Sequence, residues 1–267
     1  MWRNAVTMGR TRSATWAMAI LAAALWVGAS VLPASAAELR VFSAGAVRTL
    51  ITEVAEAFQK ETGLRVTITT GTVGELRGRL AAGEPADVVI MTDAAIDQAM
   101  DQGLVVAYTR ADIARTGIGV AVRAGARRPD ISTVAAFRKA LLDARSLVYL
   151  DPAGGATSGI HFAGVLDKLG IAEAVKGKTI LVRTGYAAEV VARGEAELCV
   201  HQISEILPVK GVVLVGPLPR ELQKMTLYSG GLLARSEAQE AALAFLDHAA
   251  RVELKPRRAA AGLDYWE

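Results

Sequence analysis

The sequence is poor in cysteine and histidine and lacks the common catalytic motifs. Its 267 residues include one cysteine, Cys199, and three histidines. A single cysteine excludes a framework of intramolecular disulfides, so an apolar core has to stabilise the chain. Neither a Gly-x-Ser-x-Gly nor a Ser-x-x-Lys sequence occurs, and there is no P-loop. Hydrophobic residues make up 52% and charged residues 21% of the chain, which is typical of a globular protein.

Acidic residues are absent before Glu38, where three arginines are the only charged side chains. An apolar run over residues 14–32 follows these arginines, and Ala-Ser-Ala occupies positions 34–36. This order predicts a secretory signal peptide over residues 1–36, cleaved after Ala36, and hence a periplasmic protein. A retained membrane anchor is the alternative, because about 19 apolar residues nearly span a bilayer.

Loss of the signal peptide removes the excess positive charge of the chain. Without the three arginines, the 30 basic residues fall to 27, the number of acidic residues. A formally neutral chain lacks the electrostatic footprint of a nucleic-acid-binding protein, so we predict no nucleic-acid partner.

Strand-like and helix-like segments alternate after the signal peptide. Apolar strand patterns at 39–43 and 64–69 each precede a helical pattern, and Gly63 ends the first predicted helix, which spans 46–62. The same rhythm, in units of about 30 residues, continues through a second block from position 146. The sequence predicts an α/β protein with mostly parallel sheets.

Four predicted strand-to-helix junctions carry small or hydroxyl residues. Helix starts leave backbone N–H groups unpaired and carry the positive end of the helix dipole, so they attract anions. In parallel sheets such junctions lie at the carboxyl ends of the strands, where ligands bind. The four junctions are 43–46, 71–74, 153–159 and 184–185. Each one alone is an ordinary helix cap, whereas four in two successive blocks favour a shared anion-binding cleft.

Titratable residues give little support for a catalytic or metal site in place of an anion-binding cleft. Cys199 and His201 are two apart on a predicted strand, so a Cys/His nucleophile pair is one alternative and a buried structural cysteine is the other. His161 and His201 lack a further ligand at zinc-type spacing. From these residues we predict no enzymatic activity, no metal and no cofactor.

Four segments resemble the periplasmic substrate-binding proteins of molybdate-type ABC importers. They are LRVFSAGAVRTLITEVAEAFQKETG (39–63), LRGRLAAGEPADVVIMTDAAIDQAMDQGLV (76–105), which contains a Gly-x-Pro-Ala-Asp turn, and a second-block pair SGIHFAGVLDKLGI and VVARGEAELCVHQISEI. The resemblance extends over essentially the whole chain after the signal peptide. It implies a two-lobed type II periplasmic-binding fold, with a mostly parallel sheet in each lobe and two crossing strands near 116–120 and 227–232. The implied lobes are residues 37–118 with 228–267, and residues 119–227.

The resemblance also implies an oxyanion held between the lobes by helix N-termini and hydroxyl groups. The family's serines fall at Ala46, Val73 and near Ser158, a backbone contact falls near Thr184, and the ligand-binding tyrosine aligns with Gln202. Two lost hydroxyls, at about 1.5–3 kcal/mol each if charge-assisted, would weaken molybdate binding a hundredfold or more.

We therefore predict an anion site with donors from both lobes. Arg48 is a candidate partner for a carboxylate or phosphate, with a solvated helix residue as the alternative. The predicted ligand-binding residues are Ala44, Gly45, Ala46, Arg48, Thr72, Val73, Gly74, Thr157, Ser158, Thr184, Gly185 and Gln202.

The predicted function is capture of a small anion, a molybdate- or tungstate-type oxyanion or another anion, by a monomeric protein. The protein would deliver this anion to the permease of an ABC importer in the inner membrane. The alternative is a periplasmic sensor that binds a small organic acid and signals to a membrane receptor.

Overall fold

The computed structural model of the protein describes residues 38–264. The predicted signal peptide and its cleavage site lie outside these residues. No helix among the described residues is long and apolar enough to cross a membrane.

Ten strands and ten α-helices, with three short 3-10 turns between them, make up the described chain. The strands are β1 (Glu38–Ala44), β2 (Arg65–Gly71), β3 (Val88–Thr92), β4 (Ala111–Thr116), β5 (Ile118–Arg123), β6 (Leu147–Leu150), β7 (Thr179–Val182), β8 (Leu198–Gln202), β9 (Val212–Pro217) and β10 (Thr226–Leu232). The helices are α1 (Arg48–Thr62), α2 (Val73–Ala81), α3 (Asp93–Asp101), α4 (Val134–Asp143), α5 (Thr157–Lys168), α6 (Ala172–Lys176), α7 (Ala188–Ala192), α8 (Ile203–Ile206), α9 (Gln239–Ala250) and α10 (Lys255–Ala260).

The strands form two five-stranded sheets with related topologies. The first has the order β2-β1-β3-β10-β4 and the second β7-β6-β8-β5-β9. In the first sheet only β10 runs against the other strands, and in the second only β5 does. The predicted α/β class, with two mostly parallel sheets flanked by helices, is confirmed.

The single antiparallel strand of each sheet is the first strand that the chain forms after passing between the sheets. The chain leaves the first sheet at Gly117, between β4 and β5, which agrees with the predicted crossing at 116–120. It returns through residues 218–225, whereas the predicted crossing at 227–232 coincides with β10, which lies entirely in the first sheet. The division into lobes 37–118 with 228–267, and 119–227, stays a prediction.

Local sequence explains where helix α1 ends and helix α2 begins. Gly63 ends α1 in the left-handed conformation at φ +74°, and its N–H donates to the Gln59 carbonyl at 2.9 Å. Thr72 begins α2 with a capping box, in which its hydroxyl accepts from Glu75 N–H and the Glu75 carboxylate accepts from Thr72 N–H. The Gly63 cap sets the direction of the chain as it enters β2, and the Thr72 cap sets it as the chain leaves β2.

Sequence patterns did not predict strand β4 or the short helices α6 and α8. Strand β4 reads ADIART, with too few apolar residues for a strand pattern, yet its Ile113 and Ala114 are fully buried beside β10. Helices α6 and α8 have only five and four residues, too few to show helical periodicity. These elements owe their conformation to tertiary packing.

Candidate functional site

A cavity lies where the carboxyl ends of strands from both sheets face each other. Its walls come from the segments that follow β1, β2, β6, β7 and β8, together with Tyr228 of β10. Of the twelve predicted ligand-binding residues, eleven line it: Ala44, Gly45, Ala46, Arg48, Thr72, Val73, Thr157, Ser158, Thr184, Gly185 and Gln202. The structure thus brings together residues up to 158 positions apart in sequence; their role in binding stays a prediction.

Gly74 is the predicted residue that does not line the cavity. It lies at the edge, where its N–H donates to the Gly155 carbonyl at 3.2 Å. Beside it the Thr72 hydroxyl donates to the Gly154 carbonyl at 2.7 Å. These two bonds join the start of α2 to the turn before α5 and close one side of the cavity.

Arg48 is the cation of the cavity. Its side chain is half-buried at the start of α1, and its guanidinium carbon lies 5.0 Å from the centre of the Tyr186 ring, which belongs to the other sheet's side of the cleft. Within residues 38–264, no carboxylate forms an ion pair with it. A planar cation held by an aromatic ring and lacking an anionic partner is suited to bind a carboxylate or phosphate.

A row of buried polar groups begins at Ser158, which lines the cavity, and continues through His201 to Glu205. The Ser158 hydroxyl is 3.2 Å from Nδ1 of His201, and the same nitrogen is 3.6 Å from Oε2 of Glu205. Burial lowers the pKa of His201 to about 4, and the Gly185 backbone carbonyl opposes this only in part. The imidazole is therefore neutral at pH 7, and the row carries no fixed positive charge.

Glu205 is the acidic side chain that reaches the cavity. It is 7% exposed, and burial raises the pKa of its carboxyl group to about 8, against the opposing effect of Arg48. The carboxyl packs against the turn after β1, because a Cβ on Gly45 would lie 2.7 Å from Oε1 of Glu205. Gly45 thus leaves the space that the carboxyl group occupies.

Tyr228 brings a phenol into the cavity from the first sheet. Its hydroxyl accepts a hydrogen bond from Nε2 of Gln202 at 3.2 Å. Burial, reinforced by Glu205, raises the pKa of Tyr228, so the phenol stays protonated. Oε1 of Gln202 is buried without a hydrogen-bond partner in the described chain. The resemblance placed a ligand-binding tyrosine at position 202, and the structure has a glutamine there with a tyrosine from another strand beside it.

The sequence did not indicate Glu205 or Tyr228 as cavity residues, nor Tyr186 as the ring that contacts Arg48. Glu205 follows a buried strand by three positions, so the rule that junctions after parallel strands face the ligand would have found it if α8 had been predicted. Tyr228 lies in the middle of an apolar strand pattern, which gives no signal for a site.

The alternative chemistry suggested for Cys199 and His161 has no geometric support. Cys199 is buried in the second sheet's core, and burial raises the pKa of its thiol, which opposes formation of a thiolate. His161 forms a 2.7 Å hydrogen bond through Nε2 with the Leu222 carbonyl, on the outside of α5.

Comparison with known proteins identifies the family. The family described as bacterial extracellular solute-binding protein matches residues 39–255. A Pseudomonas protein named aconitate isomerase is 38% identical over 218 residues, which cover 79% of this chain and 82% of the relative. The molybdate-binding protein ModA of Escherichia coli is 26% identical over 194 residues, covering 72% of this chain and 75% of the relative.

Solved structures share the fold. The periplasmic molybdate-binding protein of Azotobacter vinelandii superimposes with a TM-score of 0.69 at 20% identity, covering 86% of this chain and 100% of that one. The sulfate-binding protein SubI of Mycobacterium tuberculosis gives a TM-score of 0.68 at 19% identity, with coverages of 85% and 86%.

The isomerase relative corrects one prediction. The prediction that the chain is not an enzyme is wrong, because a relative 38% identical over most of both chains is named as an enzyme. The prediction rested on missing nucleophile and metal motifs. The resemblance to molybdate-type binding proteins is confirmed, and the chain belongs to the bacterial extracellular solute-binding proteins, with the type II periplasmic-binding fold.

Proposed function

We propose that this protein is a periplasmic enzyme that binds a small unsaturated polycarboxylate between its two lobes and isomerises it. Aconitate, the substrate in the name of the Pseudomonas relative, is the compound we propose for this chain. The export signal over residues 1–36 would be cleaved after Ala36.

Arg48 is the observation that carries this proposal. Its guanidinium faces the cavity and contacts the Tyr186 ring, and it lacks an ion-paired carboxylate in the described part of the chain. A guanidinium presents a fork of donors that matches the two oxygens of a carboxylate. Where the resemblance implied a serine hydroxyl, the first junction instead offers alanine at position 46 and an arginine two residues later.

Further carboxylates of the substrate have donors available from both lobes. Helices α2 and α5 begin at the cavity wall, so the positive ends of both dipoles and the first N–H groups of α5 favour anions. Hydroxyl groups of Thr157, Ser158 and Thr184 lie on the wall of the second lobe. A tricarboxylate can engage Arg48 on one lobe and these groups on the other.

The chemistry required is modest. Aconitate has a methylene group next to a carbon–carbon double bond, both flanked by carboxylates. Moving one proton from the methylene carbon to the far vinyl carbon shifts the double bond, and the conformation of the bound substrate then decides between cis and trans products. The conversion is redox-neutral, and closure of the cavity around the substrate would exclude water from the intermediate anion.

The proposed protein acts as a monomer and does not bind nucleic acid. Binding would be coupled to a hinge motion of lobes 37–118 with 228–267 against 119–227, about the links at 117 and 218–225. Contacts from both lobes to one ligand provide the differential affinity that such closure requires.

Import of an oxyanion is a second candidate function. Its support is the fold itself and the 26% identity to a molybdate-binding protein, because helix N-termini at α2 and α5 suit any small anion. The protein would then deliver its ligand to an ABC permease in the inner membrane. Ala46 and Val73, where the resemblance implied serines, weaken the case for molybdate. A sensor that presents a bound organic acid to a membrane receptor would use the same cavity.

Ligand screening followed by product analysis tests these functions. The full gene is expressed, the protein is purified from the periplasm, and its N-terminus is sequenced. Melting temperatures are then measured with cis-aconitate, trans-aconitate, citrate, molybdate, sulfate and phosphate at millimolar concentration. A ligand at 100 times its Kd stabilises by about 2.7 kcal/mol, or several degrees for a chain of this size.

Proton NMR of each aconitate isomer then follows its conversion. We expect stabilisation by the aconitates and interconversion of the two isomers. Stabilisation by molybdate alone, without conversion, would favour oxyanion import. Stabilisation by aconitate or citrate with no conversion would favour the sensor.

A further inference from the structure

The cavity holds three titratable side chains, and only one of them suits proton transfer. Arg48, Glu205 and Tyr228 are the titratable groups among the described residues that line it. A guanidinium is always protonated in proteins, and burial together with the Glu205 carboxyl group raises the pKa of Tyr228 and keeps its phenol protonated. His201 lies behind Ser158 and does not line the cavity. By elimination, the carboxyl group of Glu205 is the one that can take up and release a proton there.

The contacts of Glu205 are unusual for a buried carboxyl group. No hydrogen bond to it is formed within residues 38–264, and Nδ1 of His201 lies 3.6 Å from its Oε2. A buried carboxylate that serves the fold is normally tied to donors, as Asp87 is to Arg40 N–H and the Ser236 hydroxyl. Glu205 therefore keeps its oxygen atoms available at the cavity wall. Burying a carboxyl group without hydrogen-bond donors destabilises the fold, so the arrangement does not suit a purely structural role.

We infer that Glu205 is the catalytic residue that carries the proton during the isomerisation; this inference rests on the proposed function. The Glu205 carboxylate takes a proton from the methylene carbon, so a C–H bond breaks, an O–H bond forms, and the electron pair spreads over the allylic system and its carboxylates. The carboxyl group then returns a proton to the far carbon of the allylic system, where a new C–H bond forms. Nothing is oxidised, and Glu205 ends as the carboxylate.

The surroundings of Glu205 set the pH at which this cycle operates. Arg48 faces it from α1, His201 and Cys199 from β8, and Tyr228 from β10. Among these, Arg48 alone is charged at neutral pH, and it favours the carboxylate, while burial favours the acid. A pKa near 8 balances the two forms close to physiological pH, as proton exchange in both directions requires.

Replacement of Glu205 by glutamine separates catalysis from binding. E205Q keeps the shape of the side chain, and Ser204→Ala, on the same short helix, is the matched control. Ser204 is buried and its hydroxyl has no partner within the described residues, so its loss leaves the cavity intact. For each protein, Kd for trans-aconitate is measured by calorimetry, kcat by NMR, and incorporation of deuterium from D₂O into bound substrate by mass spectrometry.

We expect E205Q to lose at least a thousandfold in kcat and all measurable deuterium incorporation, while its Kd stays within fivefold of the wild type. S204A should match the wild type. The wild-type kcat/KM should rise with pH up to about 8 as the carboxylate forms. If E205Q fails to fold, E205D serves instead, with a shortened side chain and an expected loss of about tenfold to a hundredfold in kcat.

The possible failures are distinguishable. Conversion by E205Q at more than a tenth of the wild-type rate overturns the inference and leaves the proposed function standing. Loss of binding in E205Q assigns the carboxyl group to ligand recognition and overturns its catalytic role. If the wild type binds aconitate but never converts it, the proposed function fails, and the inference fails with it.

Discussion

Gly74 and Gly155 touch across the edge of the cavity, one at the start of α2 and the other in the turn before α5. The Gly74 N–H donates to the Gly155 carbonyl at 3.2 Å, and a Cβ on Gly74 would lie 2.7 Å from the Gly155 Cα. Backbone approaches this close leave room for no side chain, so the closed arrangement of this cleft depends on glycine at position 74.

Gly74→Ala is therefore expected to oppose closure. Position 74 has ordinary helical geometry, so alanine suits α2 itself and should stabilise the helix by up to about 1 kcal/mol. The added methyl group clashes only when the two lobes meet. We expect at least tenfold weaker binding of the ligand and a larger radius of gyration in solution scattering.

Gly78→Ala is the matched control for this variant. It lies on the same helix, and a Cβ there has no atom within 4 Å among the described residues. It should keep the wild-type affinity and radius. Equal affinity in G74A and G78A would show that the cleft does not need to close as seen here.

Arg48 is expected to contribute much of the affinity for a polycarboxylate. Arg48→Gln removes a forked, charged donor, and charge-assisted hydrogen bonds contribute about 1.5–3 kcal/mol each. We expect Kd for trans-aconitate to rise a hundredfold or more, and R48K to lose about tenfold because it keeps the charge without the fork.

Exposed Arg77 on α2 provides the control for charge alone. R77Q makes the same change in net charge outside the cavity. Calorimetric titration of the three variants decides between a local contact and a general electrostatic effect. An equal loss in R48Q and R77Q would contradict the assignment of Arg48.

Gly45 is expected to position Glu205. In Gly45→Ala the new methyl group would lie 2.7 Å from Oε1 of Glu205, so the flexible carboxyl group must move. A displacement near 1 Å can cost about a hundredfold in rate. We expect kcat to fall at least tenfold while KM changes less than threefold.

Gly164→Ala on α5 tests whether any added methyl group has this effect, because a Cβ at position 164 contacts nothing within 4 Å in the described chain. Steady-state kinetics of the two variants make the comparison. A normal kcat in G45A would mean that Glu205 accommodates the methyl group without consequence.

The sequence predicts the fold well because its main signals are local. The helix end at Gly63 and the buried apolar strands are each encoded within a few residues, and each appears where the pattern indicates. Junctions after parallel strands must lie at one edge, which explains why eleven of twelve predicted site residues line one cavity.

The chemical character of the cavity could not be predicted in the same way, because it depends on contacts between residues far apart in the sequence. Glu205 is significant because it is buried, unpartnered and next to Gly45, which is 160 positions away, and none of this shows in the residues around it. Tyr186 and Tyr228 likewise become site residues only through contacts made across the cleft. The prediction of no enzymatic activity rested on the absence of nucleophile and metal motifs, and a buried carboxyl group such as Glu205 belongs to no such motif.

Arg258 holds the C-terminal helices to the first sheet. Fully buried, it donates from Nε to the Ile113 carbonyl at 2.6 Å, and from its two terminal nitrogens to the Arg251 and Ala249 carbonyls at 2.8 Å. Arg258→Met removes the donors to three carbonyls, of which those of Ile113 and Ala249 are in buried hydrogen bonds, at about 1 kcal/mol or more each. We expect a loss of about 3 kcal/mol in the free energy of unfolding and a melting temperature about 10 °C lower.

The neighbouring exposed Arg257 is the control. Its guanidinium is 3.9 Å from Glu53, a surface pair that contributes little. R257M should melt within 2 °C of the wild type in calorimetry. A similar result for R258M would show that the donors of Arg258 are dispensable.

The raised pKa of Glu205 predicts how stability depends on pH. Glutamate in an unfolded chain has a pKa near 4.5, and that of Glu205 in the folded protein is about 8, so the folded state holds the extra proton between these values. Stability from this group is complete below pH 4.5 and is lost as pH rises toward 8. His201, with a folded pKa of about 4, acts in the opposite direction, because it destabilises the fold between pH 6.5 and 4.

The two effects oppose each other below pH 6.5, so the contribution of Glu205 is isolated between pH 6.5 and 8. At 1.36 kcal/mol per unit, the wild type should lose about 2 kcal/mol over this interval relative to E205Q, which has no proton to release. Urea unfolding of both proteins at pH 6.5, 7.25 and 8 measures the difference directly. Parallel curves for the two proteins would mean that Glu205 titrates near its ordinary value, and that the carboxyl group enters the reaction as a fully formed carboxylate.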